Sequence, residues 1–454
     1  MKNNNYLPRL LGTERGENKV LVYAPALDIA FEVNIPAWDF LQQASGKPLS
    51  SLPPLRENEK KLLAALAAKG VIEVGAQKVG DHIPQFQPTT LMLLPTARCN
   101  LRCAYCFSSG GDSKSSFRTE VGTAAIDFVL SRISAAGGKN FHLTYLGGGE
   151  PTLAWDVLKE TWLYAAVRCA TLGIRLRSSI TTNTTWDERT GEWLKSHFDK
   201  ITVSMDGTRD IMRLHRPAAN GKNMYDTIVA NIKALADSGC RIGIRSTVSK
   251  ASMHDVLPAL DLFMSLGVRN IHFEPLSQIG RSTVTGIEAP PMDEFFEIFW
   301  QAYLKGKSKG VRVTSSFAKG IQGNLRYCRV PEKIVCVTPL GRLTACHRSA
   351  DDTGNTGGRF HYGYYDGTTR SICFQEERLQ TLLHDIAPVN PECEHCIASV
   401  HCKGGCYFNN MNSSGTLDGI DTKWCKLARE TVCRLIELNL NSEGVKTKTK
   451  RCTK

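Results

Sequence analysis

Residues 91–106 read LMLLPTARCNLRCAYC, an apolar run of strand length that is followed at once by three cysteines. Five further strand-like runs come after it, each separated from the next by a helical pattern. They are FHLTYL (141–146), RLRSSITT (175–182), ITVSM (201–205), RIGIRSTV (241–248) and NIHFEPL (270–276). Strands that alternate with helices pair in parallel through right-handed crossovers. The sequence therefore predicts an α/β fold over residues 89–317, either a partial (β/α)6 barrel or an open doubly wound sheet, with its chemistry at the carboxyl ends of the strands.

The first 88 residues have a different pattern. KVLVYAP (19–25) and IAFEVN (29–34) predict a small hairpin, and ENEKKLLAALAAKG (57–70) predicts a helix that stops at Gly70 before the strand VIEV (71–74). This order is typical of a winged-helix-like domain. It is either a packing extension of the next domain or a separate module that binds peptide or nucleic acid. Residues 75–88 are rich in Gly, Pro and polar side chains and predict a linker.

Residues 318–454 contain many cysteines and glycine-rich turns. They end in an amphipathic helix (424–440) and a basic tail. A domain with so thin an apolar core is typical of one held together by metal.

Composition narrows the class of protein. A chain of 454 residues with 42% hydrophobic and 22% charged residues is neither disordered nor collagen-like. The sequence has no apolar run long enough for a membrane span or a secretory signal, so we expect a cytoplasmic protein without a membrane partner. In that compartment its 16 cysteines are expected to bind metal or to be buried. The net charge of +12 is spread thinly and fits an acidic peptide as well as a nucleic acid, and no nucleic-acid partner is expected.

The spacing Cys99-x3-Cys103-x2-Cys106 places three thiols on one loop after the first strand. Zinc normally takes four ligands, whereas three suit an iron–sulfur cluster with one open iron. The motif resembles the signature of radical S-adenosylmethionine (SAM) enzymes. The resemblance implies a partial (β/α)6 TIM-like barrel whose [4Fe–4S] cluster binds SAM and cleaves its sulfonium C–S bond. The resulting 5′-deoxyadenosyl radical then removes hydrogen from an unactivated carbon.

The same resemblance assigns further residues to the cofactor. The Gly-Gly-Gly-Glu segment at 147–150 matches the family motif that holds the methionine ammonium, through Gly148, Gly149 and Glu150. Residues at the family's ribose and methionine contacts are Asn183, Ser204 and Arg245. Tyr105 is expected near the adenine, although a packing role fits it almost as well. Asp206-Gly207 could be a simple turn.

A second set of cysteines resembles the SPASM domain, which holds two auxiliary [4Fe–4S] clusters. A zinc ribbon would explain its Cys-x2-Cys pair but not the other spacings. By resemblance, the first auxiliary cluster is bound by Cys328, Cys346 and Cys406, and the second by Cys393, Cys396, Cys402 and Cys425. Cys336 is the nearest candidate for the missing ligand, but its strand-like surroundings predict a buried cysteine equally well. Three clusters are therefore expected in total.

Enzymes similar in this arrangement mostly modify peptides or proteins. The N-terminal domain favours a ribosomal precursor peptide whose leader it binds, and we expect an intramolecular side-chain cross-link (C–C, ether or thioether). A flavodoxin or ferredoxin is the expected electron donor. Sulfatase-maturing relatives characteristically carry aspartate where this chain has His347. His347 is either a candidate catalytic base or a surface histidine without a catalytic role. Sulfatase-type oxidation, peptide epimerisation and a non-catalytic electron carrier remain alternatives.

Overall fold

The computed structural model describes residues 5–14, 18–24, 27, 29–74, 85–318, 328–349, 358–387, 390–394, 396–402 and 404–442. The chain forms two compact units. The terminal unit contains residues 1–83, 317–328 and 387–454, and the barrel unit contains residues 84–316 and 329–386. Most of the predicted linker and the whole basic tail lie outside the described residues.

The N-terminal part of the terminal unit consists of short strands and two helices. They are β1 (Asn5–Tyr6), β2 (Leu11–Glu14), β3 (Val20–Ala24), β4 (Ile29–Val33), α1 (Ile35–Ala44), α2 (Glu57–Ala68) and β5 (Glu73–Val74). Strands β2, β3 and β4 form an antiparallel sheet in that order, and β1 pairs with β5. The predicted hairpin, helix and strand are confirmed. The winged-helix assignment stays a prediction.

Strand β3 is buried on both faces because its alternate side chains pack into two different cores. On one face its valines pack with Leu41 of α1 and Leu63 of α2. Leu21 and Tyr23 point to the other face, which packs with residues from the C-terminal part of the chain: Ile397, Ala398, Ala428, Val432, Cys433 and Ile436. The two ends of the sequence therefore share one apolar core.

The barrel unit contains the six predicted strands in the predicted order. Its elements are β6 (Thr90–Leu93), α3 (Thr119–Ala135), β7 (Asn140–Tyr145), α4 (Trp155–Leu172), β8 (Arg175–Thr182), α5 (Glu188–His197), β9 (Lys200–Ser204), α6 (Arg209–His215), α7 (Tyr225–Asp237), β10 (Ile242–Val248), α8 (Val256–Ser265), β11 (Asn270–Pro275), α9 (Met292–Ser308) and β12 (Arg312–Thr314). Strands β6 to β12 are parallel neighbours in one sheet. The predicted α/β class is confirmed, and β12 adds a seventh parallel strand that the sequence did not predict.

The two faces of this sheet differ in polarity. Tyr145 points to the helices, since its hydroxyl lies 2.7 Å from Thr161 Oγ1 of α4, and side chains of this parity are apolar and buried. The inner face of β9 to β12 carries instead a row of polar residues in register, namely Ser204, Arg245, His272 and Thr314. The inner face is therefore where polar ligands can be held.

Four more strands extend the sheet beyond β6. They are β13 (Ile334–Val337), β14 (Arg342–Thr344), β15 (His361–Asp366) and β16 (Ser371–Phe374), and helix α10 (Glu376–Ile386) follows them. Strand β13 pairs in parallel with β6, and the others continue antiparallel. Residues 329–386 thus belong to the barrel unit, although the sequence places them in the C-terminal domain.

The C-terminal part of the terminal unit is helical. Its helices are α11 (Ser399–Cys402), α12 (Tyr407–Ser414) and α13 (Thr422–Ser442). Helix α13 confirms the amphipathic helix predicted over 424–440. Within the described ranges, none of the helices combines the length and apolar character that crossing a membrane requires.

Candidate active site

The three cysteines of the first motif lie on the loop that joins β6 to α3, at the carboxyl end of the strand. Backbone N–H groups donate to two of the sulfurs, from Leu101 to Cys99 Sγ (3.5 Å) and from Gly110 to Cys106 Sγ (3.2 Å). Hydrogen bonds to ligand sulfurs are a usual feature of iron–sulfur sites. The loop therefore directs backbone N–H donors at two of its three sulfur atoms.

The pKa values of these thiols bear on whether the loop can hold an iron–sulfur cluster. Burial raises the pKa of Cys103 to about 12 and that of Cys99 to about 11, and neighbouring thiols of the motif shift both pKa values in the same direction. The thiols are thus close together, and iron ions would supply the positive charge that three thiolates need. No three His, Cys, Asp or Glu side chains in the described ranges are close enough to hold a single metal ion. The fit to a cluster rests on the loop, its N–H donors and this mutual effect.

Backbone hydrogen bonds join the Gly-Gly-Gly-Glu segment to the cysteine loop. The N–H of Gly149 donates to Thr96 O and that of Glu150 to Arg98 O, both at 2.8 Å. A Cβ atom on Gly149 would lie 2.0 Å from Arg98 O, so only glycine fits there. The sequence predicts that Gly148 and Gly149 bring backbone close to a cofactor. The structure shows that Gly149 also brings this segment close to the cysteine loop.

The Glu150 side chain is 2% exposed and bonded within the protein. Its carboxylate accepts hydrogen bonds from the N–H and hydroxyl of Thr152 (3.2 and 2.8 Å), the hydroxyl of Thr182 (2.8 Å) and the N–H of Asn183 (2.7 Å). Burial raises the pKa of Glu150, and these hydrogen bonds act in the opposite direction. The Glu150 carboxylate therefore links the end of β8 to the Gly-Gly-Gly-Glu segment. Its contact with the methionine ammonium stays a prediction.

The other predicted cofactor residues lie at the same end of the sheet. Asn183 follows β8, and its Nδ2 donates to Asn100 Oδ1 (2.7 Å) and lies 4.0 Å from Cys99 Sγ. Ser204 and Arg245 are register partners on the inner face of β9 and β10. The structure brings Asn183 to the cysteine loop, while the contacts of all three residues with SAM stay predictions.

A buried ion pair next to the cysteine loop was not predicted from the sequence. Arg216 follows α6 and donates from Nε to Asp206 Oδ2 (2.9 Å), with the two side chains 8% and 0% exposed. Tyr105 donates its hydroxyl to the same oxygen (2.5 Å), and His215 Nδ1 lies 3.3 Å from it. Burial acts to raise the pKa of Asp206, but the charge of Arg216 outweighs burial and holds this pKa well below its usual range. Tyr105 is thus fixed by an ionised carboxylate.

A second group of polar side chains on the inner face was also missed. His272 lies 2.8 Å (Nε2) from Glu274 Oε2 and 3.0 Å (Nδ1) from Thr314 Oγ1, and the N–H of Ser316 donates to Glu274 (3.1 Å). Burial acts to raise the pKa of Glu274, but the hydrogen bond from His272 and the charges of His272 and Arg245 lower it to about 2. The alternation of polar and apolar residues in β11 was the available signal. An ionised carboxylate and an exposed guanidinium can hold polar groups of a ligand here.

Arg281 lies in the segment after β11 and hydrogen-bonds to the cysteine loop. Its guanidinium donates to Cys103 O (3.1 Å), Gly110 O (2.9 Å) and Asp112 Oδ1 (2.7 Å), and its side chain is 10% exposed. The backbone N–H of Arg281 donates to Cys106 O (2.9 Å). One side chain thereby fixes both ends of the loop that carries Cys103 and Cys106.

We expect Arg281→Met to loosen the cluster of this loop. Removing groups that orient metal ligands commonly weakens metal binding by 10- to 100-fold, so iron loss to a chelator should be about tenfold faster. Anaerobic chelation followed by absorbance measures this rate. Arg177→Met, which removes an exposed pair with Asp199 on the same sheet, is the control. Equal rates of iron loss in the two variants would contradict the role of Arg281.

His347 and Cys336 have different surroundings. The His347 ring packs edge-on against Phe107, the residue after Cys106, with ring centroids 5.8 Å apart. This places His347 beside the cysteine loop, and its role as a base stays a prediction. Cys336 is fully buried in β13, with its Sγ 3.7 Å from Met92 Sδ and 3.8 Å from Ala345 O. These contacts suit a packed cysteine, and its ligation of a cluster also stays a prediction.

The four predicted ligands of the second auxiliary cluster all belong to the terminal unit: Cys393, Cys396, Cys402 and Cys425. Burial raises the pKa of Cys402 and of Cys425 to about 12, and other thiols of the set shift both in the same direction. These thiols therefore lie near one another, which is what a shared cluster requires.

The predicted ligands of the first auxiliary cluster are Cys328, Cys346 and Cys406. Cys328 and Cys406 belong to the terminal unit and Cys346 to the barrel unit. Their assignment to one cluster stays a prediction.

Comparison with known families identifies the barrel. Residues 93–263 match the Radical SAM superfamily, a span that begins at the end of β6 and includes the cysteine loop, the Gly-Gly-Gly-Glu segment and the Asp206–Arg216 pair. The chain therefore carries a radical SAM domain, and the resemblance drawn from residues 99–106 is confirmed. SAM and a [4Fe–4S] cluster are the cofactors that this superfamily implies.

Relatives and solved structures extend the likeness beyond the barrel. Over 344 residues the chain is 22% identical to the cysteine-type anaerobic sulfatase-maturating enzyme of Clostridium novyi, covering 72% of this chain and 90% of that protein. Native anSMEcpe with bound AdoMet and Cp18Cys peptide has a TM-score of 0.62 and 18% identity, over 78% of this chain and 99% of that one. Streptococcus suis SuiB bound to its precursor peptide SuiA has a TM-score of 0.55 and 14% identity, over 92% and 98%. The two structures establish a shared fold. Besides the radical SAM domain, the chain is similar in sequence to maturases of peptides or proteins.

Proposed function

We propose that the protein modifies a ribosomally made precursor peptide and forms an intramolecular side-chain cross-link by a C–C, ether or thioether bond. The observation that carries the proposal is the combination, in one chain, of a radical SAM domain with an N-terminal sheet-and-helix element. SuiB, which is bound to a precursor peptide, resembles the chain over 92% of its length and thus well beyond the barrel.

The cofactor sites follow from the residues described above. Cys99, Cys103 and Cys106 would hold the [4Fe–4S] cluster that binds SAM, next to the backbone of Gly148 and Gly149. When bound, the cluster and SAM together would supply the one-electron chemistry that removes a hydrogen atom from carbon. The protein holds the cysteine loop through Arg281 and fixes Tyr105 through Asp206. Asn183 and Ser204 remain our candidates for cofactor contacts.

We assign two auxiliary clusters to the SPASM-like cysteines. The first would be held by Cys328, Cys346 and Cys406, with Cys336 as a candidate fourth ligand, and the second by Cys393, Cys396, Cys402 and Cys425. Such clusters can accept the electron that cross-linking releases from the substrate, which favours an electron role over a purely structural one. A flavodoxin or ferredoxin remains the proposed external donor.

The leader of the precursor peptide is proposed to bind at the edge of the N-terminal sheet. Strand β4 forms one edge of the described sheet, since its ladder partner is β3 alone, and most of its residues are partly exposed. A sheet edge offers unpaired N–H and C=O groups to an added strand, and peptide recognition commonly uses this mode.

Oxidation of a sulfatase residue is the second candidate function. It is supported by the identity with the Clostridium novyi enzyme, which covers 90% of that protein. His347 argues against the sulfatase reaction, because sulfatase-maturing enzymes characteristically carry aspartate at the position of His347. Epimerisation of a peptide α-carbon would need the same hydrogen abstraction and differs in its product. A non-catalytic electron carrier would need the clusters but not the Gly-Gly-Gly-Glu segment beside them.

Co-expression with any short peptide whose reading frame neighbours the gene tests the proposal. After anaerobic reconstitution we expect release of 5′-deoxyadenosine and loss of two hydrogen atoms from the peptide per cross-link, read by mass spectrometry. An unchanged mass with an inverted α-carbon would indicate an epimerase. An aldehyde formed on a sulfatase-derived cysteine peptide, with the co-expressed peptide unchanged, would favour the second candidate. Absence of 5′-deoxyadenosine with full iron content would indicate an electron carrier.

A further inference from the structure

We propose that Arg216 raises the reduction potential of the cluster held by the barrel cysteine loop, because its guanidinium donates to Cys103 Sγ, and that Asp206 limits this increase. The proposal rests on the radical SAM domain and is independent of which substrate the enzyme modifies.

The contact is directed by the ion pair behind it. Arg216 donates from Nε to Asp206 Oδ2 (2.9 Å) and from Nη2 to Asp206 Oδ1 (3.2 Å), which fixes the plane of the guanidinium. The remaining nitrogen, Nη1, then lies 3.8 Å from Cys103 Sγ. The Cζ atom of Arg216 lies over the Tyr105 ring, 5.3 Å from the ring centroid. With both partners buried, the charge cannot turn away into water.

The carboxylate is equally fixed, so that both charges keep their places. Besides Arg216, Asp206 Oδ1 accepts the backbone N–H of Thr247 (2.8 Å), and Oδ2 accepts the Tyr105 hydroxyl. His215, beside Oδ2, is held on its other side by Ser249 Oγ at 2.8 Å from Nε2. The network connects β9, β10 and the cysteine loop.

Simple electrostatics gives the sign of each charge's effect. Reduction adds one negative charge to the cluster and its thiolates. A positive charge that hydrogen-bonds to a ligand sulfur stabilises the reduced form, and a buried negative charge near it destabilises that form. Arg216 hydrogen-bonds to the Cys103 sulfur, whereas Asp206 is bonded to Arg216 and lies farther from that sulfur. The two residues therefore act in opposite directions, with the larger effect from Arg216.

Potentiometric titration of the barrel cluster, followed by electron paramagnetic resonance without SAM or peptide, tests this. Arg216→Met is expected to lower the midpoint potential, Asp206→Asn to raise it, and Arg216→Lys to lie nearer the wild type than Arg216→Met. Iron content is measured on each sample. Because a merely structural role would weaken cluster retention in both variants, opposite shifts of potential at full iron content support an electrostatic role.

The chain contains a matched control pair on its surface. Arg209 pairs with Asp226 and lies 4.7 Å from the Tyr225 ring centroid, but its side chain is 52% exposed. Arg209→Met is expected to leave the potential unchanged. The proposal is overturned if Arg216→Met equals this control, or if Arg216→Met and Asp206→Asn shift the potential in the same direction. If Arg216→Met retains no iron, an unchanged potential in iron-replete Asp206→Asn overturns it.

Discussion

Replacing Cys99, Cys103 and Cys106 together with alanine is expected to abolish SAM cleavage while leaving iron bound elsewhere in the chain. The three thiols sit on one loop, which backbone hydrogen bonds from Gly149 and Glu150 join to the Gly-Gly-Gly-Glu segment. Three [4Fe–4S] clusters require roughly twelve irons per chain, so the variant should keep roughly eight. Release of 5′-deoxyadenosine after reduction measures SAM cleavage, and total iron and sulfide analysis measures the clusters that remain.

A cysteine outside the motif provides the control. Cys240 is partly buried and is not among the predicted ligands, so Cys240→Ala should keep both the iron and the cleavage activity. Cleavage that persists in the triple variant at wild-type rate would refute the assignment of this loop. Loss of all iron would instead mean that the auxiliary clusters depend on the barrel cluster, contrary to our expectation.

Leu21→Asp is expected to release the auxiliary iron of the terminal unit while leaving the barrel cluster in place. Leu21 is 1% exposed and packs in the same core as Cys396, Cys402 and Ile397. A carboxylate buried there without a partner costs more than about 4 kcal/mol, which is enough to open this core. The adjacent Tyr23 also stacks on His401, next to Cys402, with ring centroids 5.9 Å apart.

Iron content after anaerobic gel filtration measures the effect of Leu21→Asp, and 5′-deoxyadenosine release reports on the barrel. Lys19→Asp is the matched control, since it places the same group on an exposed position just before β3, where surface substitutions typically change stability by less than about 1 kcal/mol. Full auxiliary iron in the Leu21 variant would show that the N-terminal sheet and the cysteine segment fold independently of each other.

Much of the barrel could be predicted because its signals are local. Each of the six predicted strands shows its own period in a short window, as does each helix between them except the short α6, and the six strands occur in order. The cysteine loop could be predicted equally well, because its three predicted ligands lie at fixed spacing within eight residues. Helix α13 was predicted for the same reason.

What the sequence did not reveal depends on residues that are far apart in the chain. Strand β13 pairs with β6 across more than 200 residues, and its short neighbours lie among turns with little periodicity. Arg281 reaches Cys103 across 178 residues, and no spacing rule indicates that contact. Asp206 was noticed only for its turn with Gly207, because a buried ion pair is visible only once Arg216 has been placed beside it.

The shared core of the two chain ends also sets an order of events during synthesis. Strand β3 leaves the ribosome about 400 residues before helix α13, which at usual elongation rates is a delay of roughly 20–80 s. Throughout that time the apolar side of the nascent sheet that later meets α13 has no permanent cover, while the barrel between them can already fold. Strands β2 and β3 are thus translated long before helix α13, which completes one of their two cores.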